Sequence, residues 1–125
     1  MVEAVIGLGS NIDADKHIAQ ALKALAKVAQ VKATSEIMVT KPIGFTQQED
    51  FSNSAVLLHT EDDYDSLKCK LKSIEDALGR DRSRPRFGPR EIDLDIIVYD
   101  DDIRDDDYYT RDFLQKLVAQ VWTKK

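Results

Sequence analysis

The stretch RDRSRPRFGPREIDLDIIVYD, Arg80–Asp100, decides how this chain is read. Five arginines (Arg80, Arg82, Arg84, Arg86 and Arg90) crowd its first half. Pro85, Gly88 and Pro89 argue against a helix there. In an extended loop, Arg80 to Arg86 would share one side. The second half, from Glu91 to Asp100, alternates and reads as a strand. Successive strand side chains point to opposite faces, so Asp93 and Asp95 share a face and Ile92, Leu94, Ile96 and Val98 take the other. At a rise of ~3.3 Å per residue the two carboxylates stand about 7 Å apart. Two unpaired anions repel, and a hard divalent cation such as Mg²⁺ removes that conflict. The planar guanidinium fork matches phosphate oxygens. Carboxylates for metal beside arginines for phosphate suit phosphoryl-type transfer. Taken singly, each feature also fits a solvated charged surface, with the arginines balanced by the aspartates of DDDIRDDD (100–107).

Working outward, EAVIGLGS (3–10) reads as a first strand. A helix follows, with Ile18, Leu22, Leu25 and Ala29 on one stripe and Asn11 or Asp13 as its N-cap. VKATSEIMVT (31–40) reads as one strand, KPIGFTQQED (41–50) as a loop and FSNSAVLLHT (51–60) as a third strand. A second helix carries Leu67, Leu71, Ile74 and Leu78, capped by Asp62 or Asp63 and stopped by Gly79. The Arg-rich loop and the strand of Asp93 and Asp95 come next. A last helix carries Leu114, Leu117, Val118 and Val121. The predicted class is α/β (α+β), one domain over 1–125: a ferredoxin-like βαββαβ core with helices on one face of an antiparallel sheet, plus a C-terminal helix. The opposite sheet face is expected to hold the site.

With 125 residues, one domain is the default. No run approaches the roughly 20 apolar residues of a membrane helix, and the N-terminus lacks the basic region of a secretory leader. The single cysteine, Cys69, fits a reducing compartment. A cytoplasmic monomer with no membrane or nucleic-acid partner is therefore expected. The net charge of −5 and the pI of about 5.0 argue against a coat for nucleic acid. A basic cluster in an acidic chain points to a small polyanion.

No GxxxxGK[ST] occurs, so a P-loop is excluded. GLGSN (7–11) has Ile12 where a dinucleotide fingerprint needs glycine; Gly7 and Gly9 read either as part of a site or as a tight strand-to-helix turn. In DFSN, Phe51 and Asn53 share a strand face, an aromatic beside an amide that suits a heterocycle; an edge-strand Phe and a surface Asn are the alternative. His17 and His59 read as structural.

These pieces together resemble the 6-hydroxymethyl-7,8-dihydropterin pyrophosphokinase family. The likeness rests on GLGSN (7–11), TKPIGFTQQEDFSNSAV (40–56), IEDALGRDRSRPRFGPREIDLDIIVYD (74–100) and RDFL (111–114), of which GPREIDLDI is the most specific. It implies transfer of pyrophosphate from ATP, as co-substrate, to a reduced pterin. It implies two Mg²⁺ ions on Asp93 and Asp95, with Arg80 and Arg90 completing the catalytic set. Gly7, Thr40, Lys41, Ile43, Phe51, Asn53 and Phe113 would meet the pterin, with Phe51 and Phe113 stacking on its two faces. Glu75, Arg82, Phe87, Ile96 and Arg111 would lie on the nucleotide side. The sequence departs from the family in having no His or Pro after Asp95, Lys41 at a usual proline, and Phe87 at a usual Trp. A relative that binds pterin or nucleotide with lost or altered activity, or a small RNA-binding module, are the competing readings; the acidic pI and the lack of aromatic-basic strand motifs weigh against the last.

Overall fold

A computed structural model describes residues 1–42, 47–83 and 89–123. The sheet contains β1 (Val2–Ser10), β2 (Gln30–Thr34), β3 (Met38–Thr40), β4 (Phe51–Thr60), β5 (Asp93–Tyr99) and β6 (Asp102–Ile103). Its order is β2-β4-β1-β5-β6, with β3 also on β4, and every pairing is antiparallel. The helices are α1 (Ala14–Val28), α2 (Tyr64–Ala77), α3 (Asp107–Thr110) and α4 (Asp112–Val121). The expected βαββαβ core is present.

Local chemistry explains most boundaries. Asp63 caps α2, its carboxylate accepting from Ser66 N at 2.8 Å. Gly79, at φ +90, takes the left-handed turn that ends it. Asp13 starts α1 through its carbonyl, which accepts from His17 N; its side chain makes no cap bond. The sequence predicts one strand over 31–40, but the structure has two, β2 and β3. Ser35 fills the gap: its N donates to Ala55 O and its hydroxyl accepts from Ala55 N, each at 2.8 Å. The side chain takes over an acceptor role from the backbone and interrupts the ladder.

The core has two layers. Ile6, Leu8, Leu94 and Ile96 meet Ile18, Leu25, Leu67 and Leu71 on the side of α1 and α2. Val5, Ala55, Ile97 and Val98 meet Leu114, Leu117, Val118 and Trp122 of α4 and its end. The second sheet face is therefore partly roofed, and the site occupies what α4 leaves open.

Val98 departs from the predicted alternation. It lies with Ile97 on the α4 side because the β1–β5 register slips between Val5 and Ile6. Ile97 is the extra residue of a β-bulge, which flips every later side chain. The same strand thus turns Asp93 and Asp95 into the site and Ile97 and Val98 under the roof.

Beyond Tyr99 the chain reverses through Asp100 and Asp101, both left-handed at φ 49 and 71. That pattern makes a two-residue hairpin onto β6. The aspartate run is therefore no single acidic patch.

Gly7 and Gly9 lie inside β1, not in a strand-to-helix turn. A Cβ on Gly7 would meet the Ile97 side chain at 3.3 Å. We expect Gly7→Val to cost about 1–3 kcal/mol of stability by overpacking, read from urea unfolding. Introduced on top of Ile97→Ala, Gly7→Val should cost less than it does in wild type; the same cost in both backgrounds would sink this account of Gly7.

Candidate active site

The floor of the site is one row across three strands. Asn53 on β4 pairs with Gly9 on β1, and Gly9 pairs with Asp93 on β5. In the row behind, Gly7 pairs with Asp95. The built Cβ of Gly9 stands 3.4 Å from Asn53 Oδ1, so glycine leaves the floor open between amide and carboxylates. A cavity of about 380 Å³ opens above it. Thr40, Lys41, Phe51 and Asn53 line one side and Arg90, Asp93 and Asp95 the middle. Asp105, Asp107, Arg111 and Phe113 form the far wall.

Nine residues singled out from sequence thus meet at one cavity: Thr40, Lys41, Phe51, Asn53, Arg90, Asp93, Asp95, Arg111 and Phe113. Gly7 lies in the smaller adjoining hollow, beside Ile97 and Leu114. The Ile96 side chain is buried on the opposite face among the α1 and α2 contacts. Ile43, Phe87, Arg84 and Arg86 lie outside the described residues.

Behind the floor, Glu75 organises the cationic groups. Its carboxylate is buried in α2 and accepts from Arg80 Nη1 at 3.1 Å, Arg82 Nη2 at 2.9 Å and Leu94 N at 2.7 Å. Arg80 Nη1 also donates to Ile92 O and to Asp93 Oδ1, at 3.2 and 3.1 Å. Arg90 Nη1 donates to Asp93 Oδ2 at 2.8 Å. Both Asp93 oxygens are thus engaged by arginine, with lone pairs left for a further partner. Arg82 reaches Asp76 as well and stands farther out. Glu75, Arg80 and Arg82 therefore stand behind the carboxylate pair.

Asp95 has no such cation. Its carboxyl opens into the cavity, yet the surrounding walls strip much of its water. That desolvation, then the charges of Asp93, Asp105 and Glu75, push its pKa up to about 8. Desolvation also raises Asp105, opposed by the hydrogen bond it accepts from Asp107 N. A carboxylate stack of this kind suits a hard cation: ionised oxygens and a conflict that a divalent charge resolves. Among the described residues no three acidic, His or Cys side chains form a protein-only metal cluster. An ion on Asp93 and Asp95 would therefore keep coordination positions for phosphate oxygens and water, as Mg²⁺ commonly does.

Gly9, which the sequence offered either as part of a site or as a turn glycine, lines the cavity, whereas Asp105 and Asp107 were not singled out from the sequence. The last two sit in DDDIRDDD, whose uniform composition hides three roles. Asp100 and Asp101 make the turn, Asp105 and Asp107 face the cavity, and Asp107 pairs with Arg111 at 3.5 Å. Arg80, Arg82 and Arg90 pair with Glu75, Asp76 and Asp93. The histidines stand apart from the cavity: the His17 ring bonds Ile12 O, and His59 pairs with Glu3 at 3.2 Å.

Comparison with known proteins matches residues 5–123 to the family described as 7,8-dihydro-6-hydroxymethylpterin-pyrophosphokinase (HPPK). The chain is similar to proteins named 2-amino-4-hydroxy-6-hydroxymethyldihydropteridine pyrophosphokinase. That of Methylorubrum extorquens is 43% identical over 103 residues, covering 80% of this chain and 65% of the relative. That of Bacillus subtilis is 40% identical over 99 residues, covering 77% and 59%. That of Aquifex aeolicus is 34% identical over 104 residues, covering 82% and 64%. The matched part thus spans a little under two thirds of each relative's length. The match runs through the whole cavity lining, from Gly9 to Phe113, and the chain belongs to the 7,8-dihydro-6-hydroxymethylpterin-pyrophosphokinase family.

Proposed function

We propose that this protein transfers pyrophosphate from ATP to the hydroxymethyl group of 6-hydroxymethyl-7,8-dihydropterin, releasing AMP and the pterin diphosphate. The observation that carries the reading is the polarity of the cavity. Its lining joins the charged Asp93, Asp95 and Arg90 to an amide and two aromatics, Asn53, Phe51 and Phe113. The names of the relatives agree with it. No described helix is long and apolar enough to cross a membrane; a cytoplasmic monomer acting on small molecules fits this reading.

The side chains divide the work. Asn53 Nδ2 is held by Met38 O, Thr40 Oγ1 and Phe51 O at 3.2, 2.8 and 3.3 Å. This fixes the amide with Oδ1 over Gly9, where it accepts from a pterin N–H. Phe51 and Phe113 supply apolar surface for the ring. Arg80 and Arg90 hold positive charge against Asp93, Arg80 from behind the floor and Arg90 from the cavity itself, where its remaining donors would meet the phosphates. Because Glu75 already orients Arg80, little reorganisation is needed as charge develops. Two Mg²⁺ ions held by Asp93 and Asp95 would neutralise the phosphate oxygens and favour attack on the β-phosphorus. Arg111, now paired with Asp107, lies within the same wall and serves the nucleotide side.

A second reading is favoured by the absence of His and Pro between Asp95 and Arg111: a protein that binds pterin or nucleotide without turnover. Incubation with Mg-ATP, with and without 6-hydroxymethyl-7,8-dihydropterin, separates the two. Pterin-dependent AMP supports the transferase. Binding of both ligands with no AMP supports the second reading.

Asp95→Asn should abolish that turnover while the circular dichroism spectrum stays unchanged. The raised pKa fixes the sign of its effect on stability. Ionising Asp95 is disfavoured in the fold, so metal-free wild type loses stability as pH rises from the ordinary carboxylate range through about 8. Asp95→Asn removes this loss, so without metal it should be the more stable form at pH 8, and with Mg²⁺ the less stable one. Melting temperatures that keep the same order with and without Mg²⁺ would remove Asp95 from the metal role. Phe113→Ala should weaken pterin binding by about 1–3 kcal/mol, as expected for a lost stacking face, measured by titration calorimetry.

A further inference from the structure

Asn11 follows β1 directly and is buried at 6% exposure, well below the surface for a polar side chain. Its hydrogen bonds run in two directions. Toward the phosphate side, Asn11 N donates to Arg90 O at 3.1 Å, and Arg90 N donates to Asn11 Oδ1 at 2.8 Å. The side chain thus closes a ring with Arg90 as a strand partner would. Toward the pterin side, Asn11 Nδ2 donates to Gln48 Oε1 at 2.7 Å and to Glu49 O at 2.9 Å. The amide orientation follows from its partners, since Arg90 N–H can only donate and Glu49 C=O can only accept.

The two arms lead to opposite ends of the cavity. Glu49 is two residues from Phe51, which lines the pterin end. Arg90 holds Asp93 Oδ2. One buried amide thus connects 47–50 to Arg90 and the carboxylate it grips. Asn11 does not line the cavity that holds Asp93 and Asn53.

We propose that Asn11 is a positioning residue that couples the heterocycle end of the site to its phosphate end, so that each ligand favours the geometry needed by the other. This deepens the functional reading above and rests on it. Coupling of this kind is reciprocal and commonly amounts to about 5- to 150-fold in affinity.

Asn11→Asp separates the arms. The variant keeps an acceptor for Arg90 N but loses both donors and sets a carboxylate against the Glu49 carbonyl. Gln48→Leu removes one partner from the other side, at a partly exposed position. The test is calorimetric titration of the folded full chain with 6-hydroxymethyl-7,8-dihydropterin, in the presence and absence of Mg²⁺ and α,β-methylene-ATP, which cannot transfer pyrophosphate. Wild type should bind pterin about 5- to 150-fold more tightly with the nucleotide present. In Asn11→Asp that ratio should fall towards one while each ligand alone binds nearly as in wild type. Gln48→Leu should lose part of the ratio, and it decides the matter if Asn11→Asp does not fold. A full ratio in either folded variant overturns the inference, as does an equal fall in both single-ligand affinities with the ratio kept. Wild type that binds both ligands without coupling overturns it and leaves the transferase reading standing. Wild type that binds neither overturns both.

Discussion

The site depends on one buried charge. Glu75 is 4% exposed, and removing a carboxylate from water costs several kcal/mol unless it is paired. Here it binds two arginines and a backbone N–H. The partners come from two parts of the fold: Arg80 and Arg82 from the segment after α2, Leu94 from β5. The need to satisfy one carboxylate therefore fixes the distance from α2 to the sheet and the register at which the arginines pass Asp93. Neutralising Glu75 alone would leave Arg80 between Asp93 and an empty side, so the phosphate end would lose its geometry before it lost its charge.

That brace also explains how opposing electrostatic demands coexist. Asp93 accepts from two arginines, while Asp95, one pleat farther on, meets desolvation, the charge of Asp93 and a hydrogen bond shared with it, and the charges of Asp105 and Glu75. The first carboxylate is tied into the structure by both arginines. The second is kept in tension that a cation would release. A strand is well suited to this difference, because residues two apart share a face and yet have separate neighbours.

Much of this is legible in the amino-acid sequence. The alternation around Asp93 and Asp95 gave their common face, and the stripe of Leu114, Leu117, Val118 and Val121 gave α4 its buried side. Phe51 and Asn53 share a face by the same period. What could not be read has a common cause: features set by contacts distant in sequence. The bulge at Ile97 depends on pairing with β1, so Val98 falls on the wrong side in a simple alternation. The break at Ser35 depends on Ala55. The burial of Glu75 depends on Arg80, Arg82 and Leu94 arriving together. Asp105 and Asp107 were hidden for another reason, since a run of one residue type carries no period from which a face can be inferred.

The β5–β6 hairpin has a consequence for the order in which the fold comes apart. β6 pairs with β5 only at Val98↔Ile103 and Tyr99↔Asp102, whereas β1 and β4 pair along nine successive positions. The floor therefore belongs to the most cooperative part of the sheet, and the wall carrying Asp105, Asp107 and Arg111 hangs from its weakest edge. Subglobal opening should begin there, exposing the amides of Ile103 and Arg104 to solvent exchange long before those of Val5 or Leu57. That wall can yield while the carboxylate floor stays folded.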